Sequence, residues 1–520
     1  MTRELRATSF IGSSRGEKTG KTFTAFSPAT GEAVGPEFHS ASRDELARAC
    51  ELASTASADL EKKTGREKAQ FLRTIAANLG ARKADLVERA SLETGLPNAR
   101  FEGETARTCG QLRMFADLVE EGSWVDARID TAMPDRQPLP RPDIRSMRRA
   151  LGPVAVFCAS NFPIAFSVAG GDTTSALAAG CPVIVNAHSA HPGTSEIAAE
   201  AISEAVAECG FPEGTFSLLF SSDYEIGSAL VDHPEVKAVG FTGSRSGGRA
   251  LMKIASEREE PIPVFAEMSS VNPTFVLPHA AGERADEIAE GLFASFTLGV
   301  GQFCTKPGII VLAESAGADR IVEVLREKAS AAATVPLLTK GIRDAYLRSV
   351  SARGAQAPAQ DQSFGVMAQV FEVNAEEFLS DPNLQEEVFG PAALIVRTKT
   401  VEEVMDIAAN IEGQLTSSIH YSAGDLDDFP KLVPVLSRKV GRLVFDGYPT
   451  GVEVSSAMVH GGPFPATSNA GTTSVGTRAI ERFTRLACYQ NAPQEILPDE
   501  LKDGNPLGIS RMVDGNVGRD

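Results

Sequence analysis

One cysteine in this chain is set up to act as a nucleophile. The stretch Ser295 to Gly308 reads S-F-T-L-G-V-G-Q-F-C-T-K-P-G and places Cys304 behind Gly299, Gly301 and Phe303. Glycine lets backbone approach a ligand closely, so a cysteine behind such a turn can be presented into a cleft. A thiolate attacks well when its surroundings favour the ionised form or a base lies within reach. The plain alternative is a buried structural cysteine. The other six (Cys50, Cys109, Cys158, Cys181, Cys209 and Cys488) complete an odd set without a C-x-x-C pair. That usage fits reduced thiols in a cytoplasm, not a disulfide frame or a zinc site. No H-E-x-x-H occurs, and His188 with His191 alone is a poor ligand signal, so no metal is expected.

Presenting one thiol requires a rigid frame, and the pattern of apolar runs supplies one. Residues 1–40 are polar, with a turn at Ser27 to Glu32. Helical patterns follow over Arg43 to Ala56, capped by Ser42, over Arg66 to Leu92, and over Asn98 to Glu120. Four prolines between Met133 and Pro142 mark an extended arm, and Ile144 to Ala150 reads as an arginine-rich strand edge. From Pro153 the character changes. Val154 to Ser160, Pro182 to Asn186, Phe216 to Phe220 and Val236 to Phe241 are short apolar runs, as buried parallel strands are. Helices are expected between them at Gly171 to Ala179, Thr194 to Cys209 and Ile226 to Asp232, and G-S-R-S-G-G opens another at Arg249. That alternation predicts a doubly wound α/β domain. A second alternating region follows Val264 and carries Cys304, with helices expected over Ala285 to Phe296, Asp319 to Lys328 and Val401 to Ile411. Arg482 to Gln490 reads as one long strand, free to pair with the Ile144 segment or with another subunit.

A length of 520 residues suggests two to three domains, and 42% hydrophobic with 23% charged content is ordinary for a globular protein. A net charge of −18 argues against nucleic acid and anionic membrane surfaces as partners. The opening M-T-R-E-L-R-A-T-S-F lacks an apolar core for a signal peptide, and no apolar run reaches the length of a membrane span. A cytoplasmic location is the expectation.

Five further segments fall in order around Cys304: S-N-F-P (Ser160 to Pro163), F-T-G-S-R-S-G-G (Phe241 to Gly248), A-E-M-S-S-V-N-P (Ala266 to Pro273), E-E-V-F-G-P (Glu386 to Pro391), and G-Y-P-T-G-V-E-V-S-S-A-M-V-H-G-G-P-F-P-A-T-S from Gly447. Together they resemble the aldehyde dehydrogenases, over about residues 8 to 515. The wording N-F-P-I-A-F-S-V-A-G-G-D, G-Q-F-C-T-K-P-G and A-M-V-H-G-G-P is similar to the branch with 2-oxoglutarate semialdehyde (2,5-dioxopentanoate) dehydrogenases and an NADP-linked fatty aldehyde dehydrogenase. The resemblance implies an α/β fold with a Rossmann-like cofactor domain (1–130 and 153–272), an α/β catalytic domain (273–480) and a small β oligomerisation arm (131–152 and 481–510). It also implies a homodimer or homotetramer.

The chemistry can be argued independently of the family. Oxidising an aldehyde to an acid requires a hydride acceptor and a fourth substituent on the carbonyl carbon; a thiolate supplies the substituent, giving a thiohemiacetal that can expel hydride to a nicotinamide and leave a thioester. The oxyanion between needs donors at hydrogen-bond distance, and the resemblance assigns these to the Asn161 amide and the Cys304 backbone N–H. Glu267 matches the family's base for activating water, a task that would want its carboxyl tuned upward by burial. Ser269 and Ser270 depart from the glycines common there. His460 matches a histidine at the site mouth, acting on Cys304 as base or relay, or standing as a structural turn residue. Gly243, Ser244 and Gly248 match the phosphate loop at a helix N-terminus, and Glu387 with Phe389 the pair that holds the nicotinamide ribose.

NADP or NAD is the implied cofactor. Asn186 stands where the branch usually has a lysine, Ser189 where NAD-preferring relatives often have a glutamate, and Tyr224 where the NADP-linked relative has an arginine, with Asp223 and Glu225 beside it. His188 or His191 is expected to supply partial positive charge. The product is a carboxylic acid, with 2-oxoglutarate semialdehyde the first substrate choice. The alternatives are a medium- or long-chain aliphatic aldehyde, an acylating dehydrogenase or thioesterase, and a non-catalytic relative of the fold.

Overall fold

The computed structural model of the protein describes residues 4–18, 20–355 and 363–519. Its first large sheet has five parallel strands in the order Val264–Glu267, Ala238–Thr242, Val154–Phe157, Val183–Asn186 and Phe216–Leu219, extended by the antiparallel Phe10–Ile11 and Ser14–Arg15. The apolar runs become these strands because both faces are covered. Val154, Ala155, Val183, Ile184 and Val239 are inaccessible to solvent. The strand order reverses between Val154–Phe157 and Ala238–Thr242, so the crevice beyond their carboxyl ends is a natural ligand site. The second large sheet holds six parallel strands: Gln369–Asn374, Ala392–Thr398, Ile309–Ala313, Thr274–Val276, Gln414–His420 and Val440–Phe445. A third sheet pairs Thr484–Gln490 antiparallel with Ile144–Ala150, then runs through Arg128–Asp130 to Arg511–Val513 and Asn516–Gly518.

Three features depart from the sequence pattern. The long helix expected over Arg66 to Leu92 is two helices, Gly65–Ala81 and Lys83–Thr94. The break is at Arg82 (φ −97°, ψ 10°), whose Nη1 donates to the Asn78 carbonyl and so satisfies a helix-end acceptor. Residues 1–40 hold a hairpin, Thr22–Phe26 with Ala33–His39, which Gly35 and Pro36 had obscured. The third sheet runs past the expected arm boundary to Gly518.

The edge of the first sheet at Val264–Glu267 is sealed by a segment that leads back from the second sheet. Met268 N donates to Ala466 O (2.7 Å), Ser468 N to Ala266 O (2.9 Å) and Ala266 N to Ser468 Oγ (2.9 Å). Glu267 is thereby paired with Thr242 on one side and Thr467 on the other.

Candidate active site

The helix Pro278–Thr297 delivers the chain into a turn in which Gly299, Val300 and Gly301 are all left-handed (φ 57°, 60° and 67°). A β-branched valine pays conformational energy there, and the surroundings enforce it. A Cβ on Gly301 would lie 2.3 Å from the Gly390 carbonyl, so only glycine lets this turn touch the Glu387–Phe389 loop. Lys306, buried, donates from Nζ to Val388 O and Ala392 O, both at 2.9 Å. Asn272 Nδ2 holds the other side, donating to Cys304 O (2.8 Å) and Lys306 O (2.9 Å). The main chain around Cys304 is therefore fixed from two directions.

Two side chains from distant segments converge on the thiol, and a third steadies one of them. His460 Nε2 lies 3.4 Å from Cys304 Sγ and 2.9 Å from Glu267 Oε1, and Ser474 Oγ donates to Glu267 Oε2 at 2.7 Å. Glu267 and His460 are buried; Cys304 is partly open. One ring nitrogen serves both neighbours, while Nδ1 is buried without a partner among the described residues. Nε2 carrying a proton and donating it to the Glu267 carboxylate fits the 2.9 Å contact. Burial pushes the Glu267 carboxyl up, but the His460 ring, Ser474 and the Cys304 thiol together hold it below its ordinary value. The expected upward tuning of Glu267 is therefore corrected: the polar partners outweigh desolvation. The thiol goes the other way. Burial first, then the Glu267 charge, push Cys304 well above the usual range, with Arg107 pulling against them.

Asn161 follows the strand Val154–Phe157 at the reversal point of the first sheet. Its Nδ2 donates to Gln302 O at 2.8 Å, which leaves the second amide hydrogen for another acceptor. Among the described residues the Cys304 N–H donates to nothing. The two donors named for an oxyanion hole thus flank one turn.

The same crevice holds the residues named for a cofactor. Ser244 caps the helix Arg245–Glu257, accepting from Gly247 N at 3.1 Å. A Cβ on Gly243 would sit 2.6 Å from the Phe241 ring, and one on Gly248 2.7 Å from Met268 Sδ. These glycines keep the helix start low against the sheet, a cradle that side chains would fill, and the residues fit the diphosphate of a dinucleotide. Glu387, raised by burial against the pull of Lys306, Ser269 and Ser270, stands in the loop pinned to the nucleophile turn, and Phe389 follows half-buried in that loop. Ser269 and Ser270 do not loosen this region. Ser269 Oγ accepts from Arg245 N at 3.3 Å, and Ser270 Oγ lies 2.9 Å from Asn272 Oδ1 and 2.8 Å from Gln414 Oε1.

At the adenosine end, Asn186 Oδ1 accepts from Ser221 Oγ (3.1 Å), Ser189 is exposed, and Tyr224 is 93% exposed on the first turn of Tyr224–Asp232. Two expectations change here. His188 is pushed down to about 3 and His191 is also lowered, in both cases by burial, so neither supplies positive charge near neutral pH. Asp223 and Glu225 are not free acids: Lys21 Nζ lies 2.7 Å from Asp223 and Arg43 Nε 3.2 Å from Glu225. Sequence reasoning also passed over Ser474, Asn272 and Lys306. The last two stand inside quoted motifs, whereas nothing in the sequence around Ser474 announces its contact with Glu267.

Residues 15–340 match the model of the aldehyde dehydrogenase family. The chain is 50% identical to alpha-ketoglutaric semialdehyde dehydrogenase 2 of Azospirillum brasilense, covering 99% of this chain and 100% of that protein. It is 45% identical to alpha-ketoglutaric semialdehyde dehydrogenase of Acinetobacter baylyi, over 97% and 98% of the two chains. Among solved structures, the NAD+ complex of aldehyde dehydrogenase from Bacillus cereus superposes with a TM-score of 0.79 at 21% identity, covering 94% of this chain and 96% of that one. The nucleophile loop, the sheet that carries it and the near full-length identity all agree, and the chain belongs to the aldehyde dehydrogenase family.

Proposed function

We propose that the protein oxidises 2-oxoglutarate semialdehyde to 2-oxoglutarate with NAD or NADP, using Cys304 as nucleophile and Glu267 as the base for water. The observation that carries the catalytic reading is the contact of Cys304 Sγ, His460 Nε2 and Glu267 Oε1 beside Asn161. The substrate rests on the full-length likeness to two alpha-ketoglutaric semialdehyde dehydrogenases.

In this reading the resting thiol is protonated, and it loses its proton to solvent on the open side of Cys304 as it attacks the aldehyde carbon, so that Glu267 stays ionised for the later step. Asn161 Nδ2 and the Cys304 N–H hold the oxygen that becomes negative. Ser244, Gly243 and Gly248 would hold the diphosphate of the nicotinamide dinucleotide and Glu387 with Phe389 its ribose, and that group would supply the hydride acceptor. Glu267, ionised because His460 and Ser474 hold its carboxyl low, then takes a proton from the water that cleaves the thioester. An acylating enzyme, which resolves with a thiol, has no need of that carboxylate. A panel of aldehydes with each cofactor tests the reading. Reduction of nicotinamide should be fastest with 2-oxoglutarate semialdehyde, and a higher kcat/KM for a long-chain aliphatic aldehyde would replace the substrate.

Segments 1–130 with 153–272, 273–480, and 131–152 with 481–510 are proposed as the cofactor, catalytic and oligomerisation units. Among the described residues the strand Thr484–Gln490 is paired on one side only, and its Leu486 is 67% exposed, which supports a homodimer or homotetramer built on that edge. Seven free cysteines support a reducing cytoplasm. No helix among the described residues is long and apolar enough to cross a membrane.

Cofactor choice is expected to be weak. A 2′-phosphate carries roughly −1.5 to −2 charge, and a charge-assisted bond to it is worth about 1.5–3 kcal/mol. Asn186 and Tyr224 supply no such cation, yet Lys21 and Arg43 balance the nearby acids, so nothing expels the phosphate either. NAD should be used at least comparably to NADP, and Asn186→Lys should shift the kcat/KM ratio toward NADP. A wild-type preference for NADP of more than about a hundredfold, beyond one such bond, would overturn this.

A further inference from the structure

Two arginines beside the nucleophile loop present cationic donors that no side chain among the described residues answers. Arg107 lies on the helix Asn98–Glu121 and Arg442 on the strand Val440–Phe445. Both lean on one loop: Arg107 Nη2 reaches Val452 O at 3.5 Å, while Arg442 donates to Gly451 O (3.1 Å) and Pro449 O (2.6 Å). That loop is tied to the nucleophile segment, since Gly451 N donates to Thr305 Oγ1 at 3.3 Å, one residue beyond Cys304. The Arg107 guanidinium stands 5.0 Å over the Phe166 ring, which is 6.5 Å from the His460 ring. The cations and the catalytic side chains therefore share one neighbourhood, and both charges are felt at the thiol.

Arg107 Nη1 and Arg442 Nε are buried and lack any hydrogen-bond partner among the described residues. The acids nearest Arg107 do not fill the gap. Glu104 is committed to Arg100 and to the backbone N–H groups of Ile164 and Ala165, and Glu453 is exposed and acts only at a distance. A buried donor on a cation without an acceptor is costly, and natural structures keep few of them. Two such donors, on side chains that hold the loop tied to the nucleophile segment, are best answered by an anion that arrives with the substrate. Arg107, with Nη1 free and Nη2 only at 3.5 Å from Val452 O, offers a planar fork that matches a carboxylate in two-point geometry, and Arg442, with Nη1 and Nη2 committed to the loop, offers Nε.

We propose that Arg107 and Arg442 bind a carboxylate at the end of the substrate remote from the aldehyde, and so select semialdehydes of dicarboxylic acids over uncharged aldehydes. This rests on the aldehyde-oxidising reading given above and adds the residues that choose the substrate. Arg107→Met and Arg442→Met should each lower kcat/KM for a carboxylated semialdehyde relative to an uncharged aldehyde of equal length. The expected drop in that ratio is about ten- to a hundredfold, the scale of one charge-assisted hydrogen bond, and it should lie mainly in KM. Arg107→Lys keeps the charge but loses the fork, and should fall between wild type and Arg107→Met. Glutarate, which carries the carboxylate without the aldehyde, should bind the holoenzyme in calorimetry and weaken in the same order of variants. An unchanged ratio, or glutarate binding indifferent to both arginines, would overturn the proposal, including in a variant whose overall activity has dropped through misfolding. If the wild-type enzyme oxidises neither aldehyde, the catalytic reading fails, and the glutarate titration still decides whether the arginines hold a carboxylate.

Discussion

Cys304→Ser is expected to lower aldehyde oxidation by about four orders of magnitude in kcat, the scale on which removal of a covalent nucleophile acts, while NAD(P) binding persists. The serine hydroxyl would occupy nearly the same volume 3.4 Å from His460 Nε2, so the pinned loop should keep its shape. What changes is the nucleophile. A serine hydroxyl is far harder to ionise than a thiol, and the Glu267 carboxylate that raises the thiol would act against an alkoxide as well. Cofactor affinity from fluorescence quenching should stay within a few-fold of wild type, because Ser244, Gly243 and Gly248 belong to the start of the helix Arg245–Glu257, which follows a strand of the first sheet. Turnover near the wild-type rate would remove Cys304 from the mechanism.

Glu267→Gln separates the two halves of the reaction. If Glu267 activates water, stopped-flow mixing should show a burst of reduced nicotinamide equal to the enzyme sites, followed by a steady rate lower by about 10²–10⁴-fold. The substitution also removes the negative charge that helps hold the thiol up. The pH midpoint for alkylation of Cys304 by iodoacetamide should therefore move down from its wild-type position. The amide can still accept from Ser474 and face His460, which keeps the fold of the site. Loss of the burst together with the steady rate would instead make Glu267 the base for Cys304.

The parallel strands were legible because burial on both faces leaves short, nearly unbroken apolar runs such as Val154 to Phe157. The Thr22–Phe26 hairpin was not, since its burial is patchy and Gly35 and Pro36 break the alternation. At the site, ordered motifs pointed to Cys304, Glu267, Asn161 and His460, and these four lie together. Sequence could not give the direction of the Glu267 shift, because it depends on Ser474 and His460, about two hundred residues downstream. The same distance hid the pairing of Asp223 with Lys21 and of Glu225 with Arg43. Charges that are neighbours in space but far apart in sequence leave no local pattern to read.

The sealed edge at Val264–Glu267 bears on how the protein can move. The strand that carries the base is bonded to Ala238–Thr242 on one flank and to residues 466–468 on the other. A clamshell motion that parted the two large sheets along this line would have to tear those bonds and carry Glu267 away from His460. The seam is a weld and not a hinge. Traffic of substrate and product then falls to side chains and short loops around a preorganised centre, and the chain forgoes large-scale opening there in exchange for a base that is already in place when each aldehyde arrives.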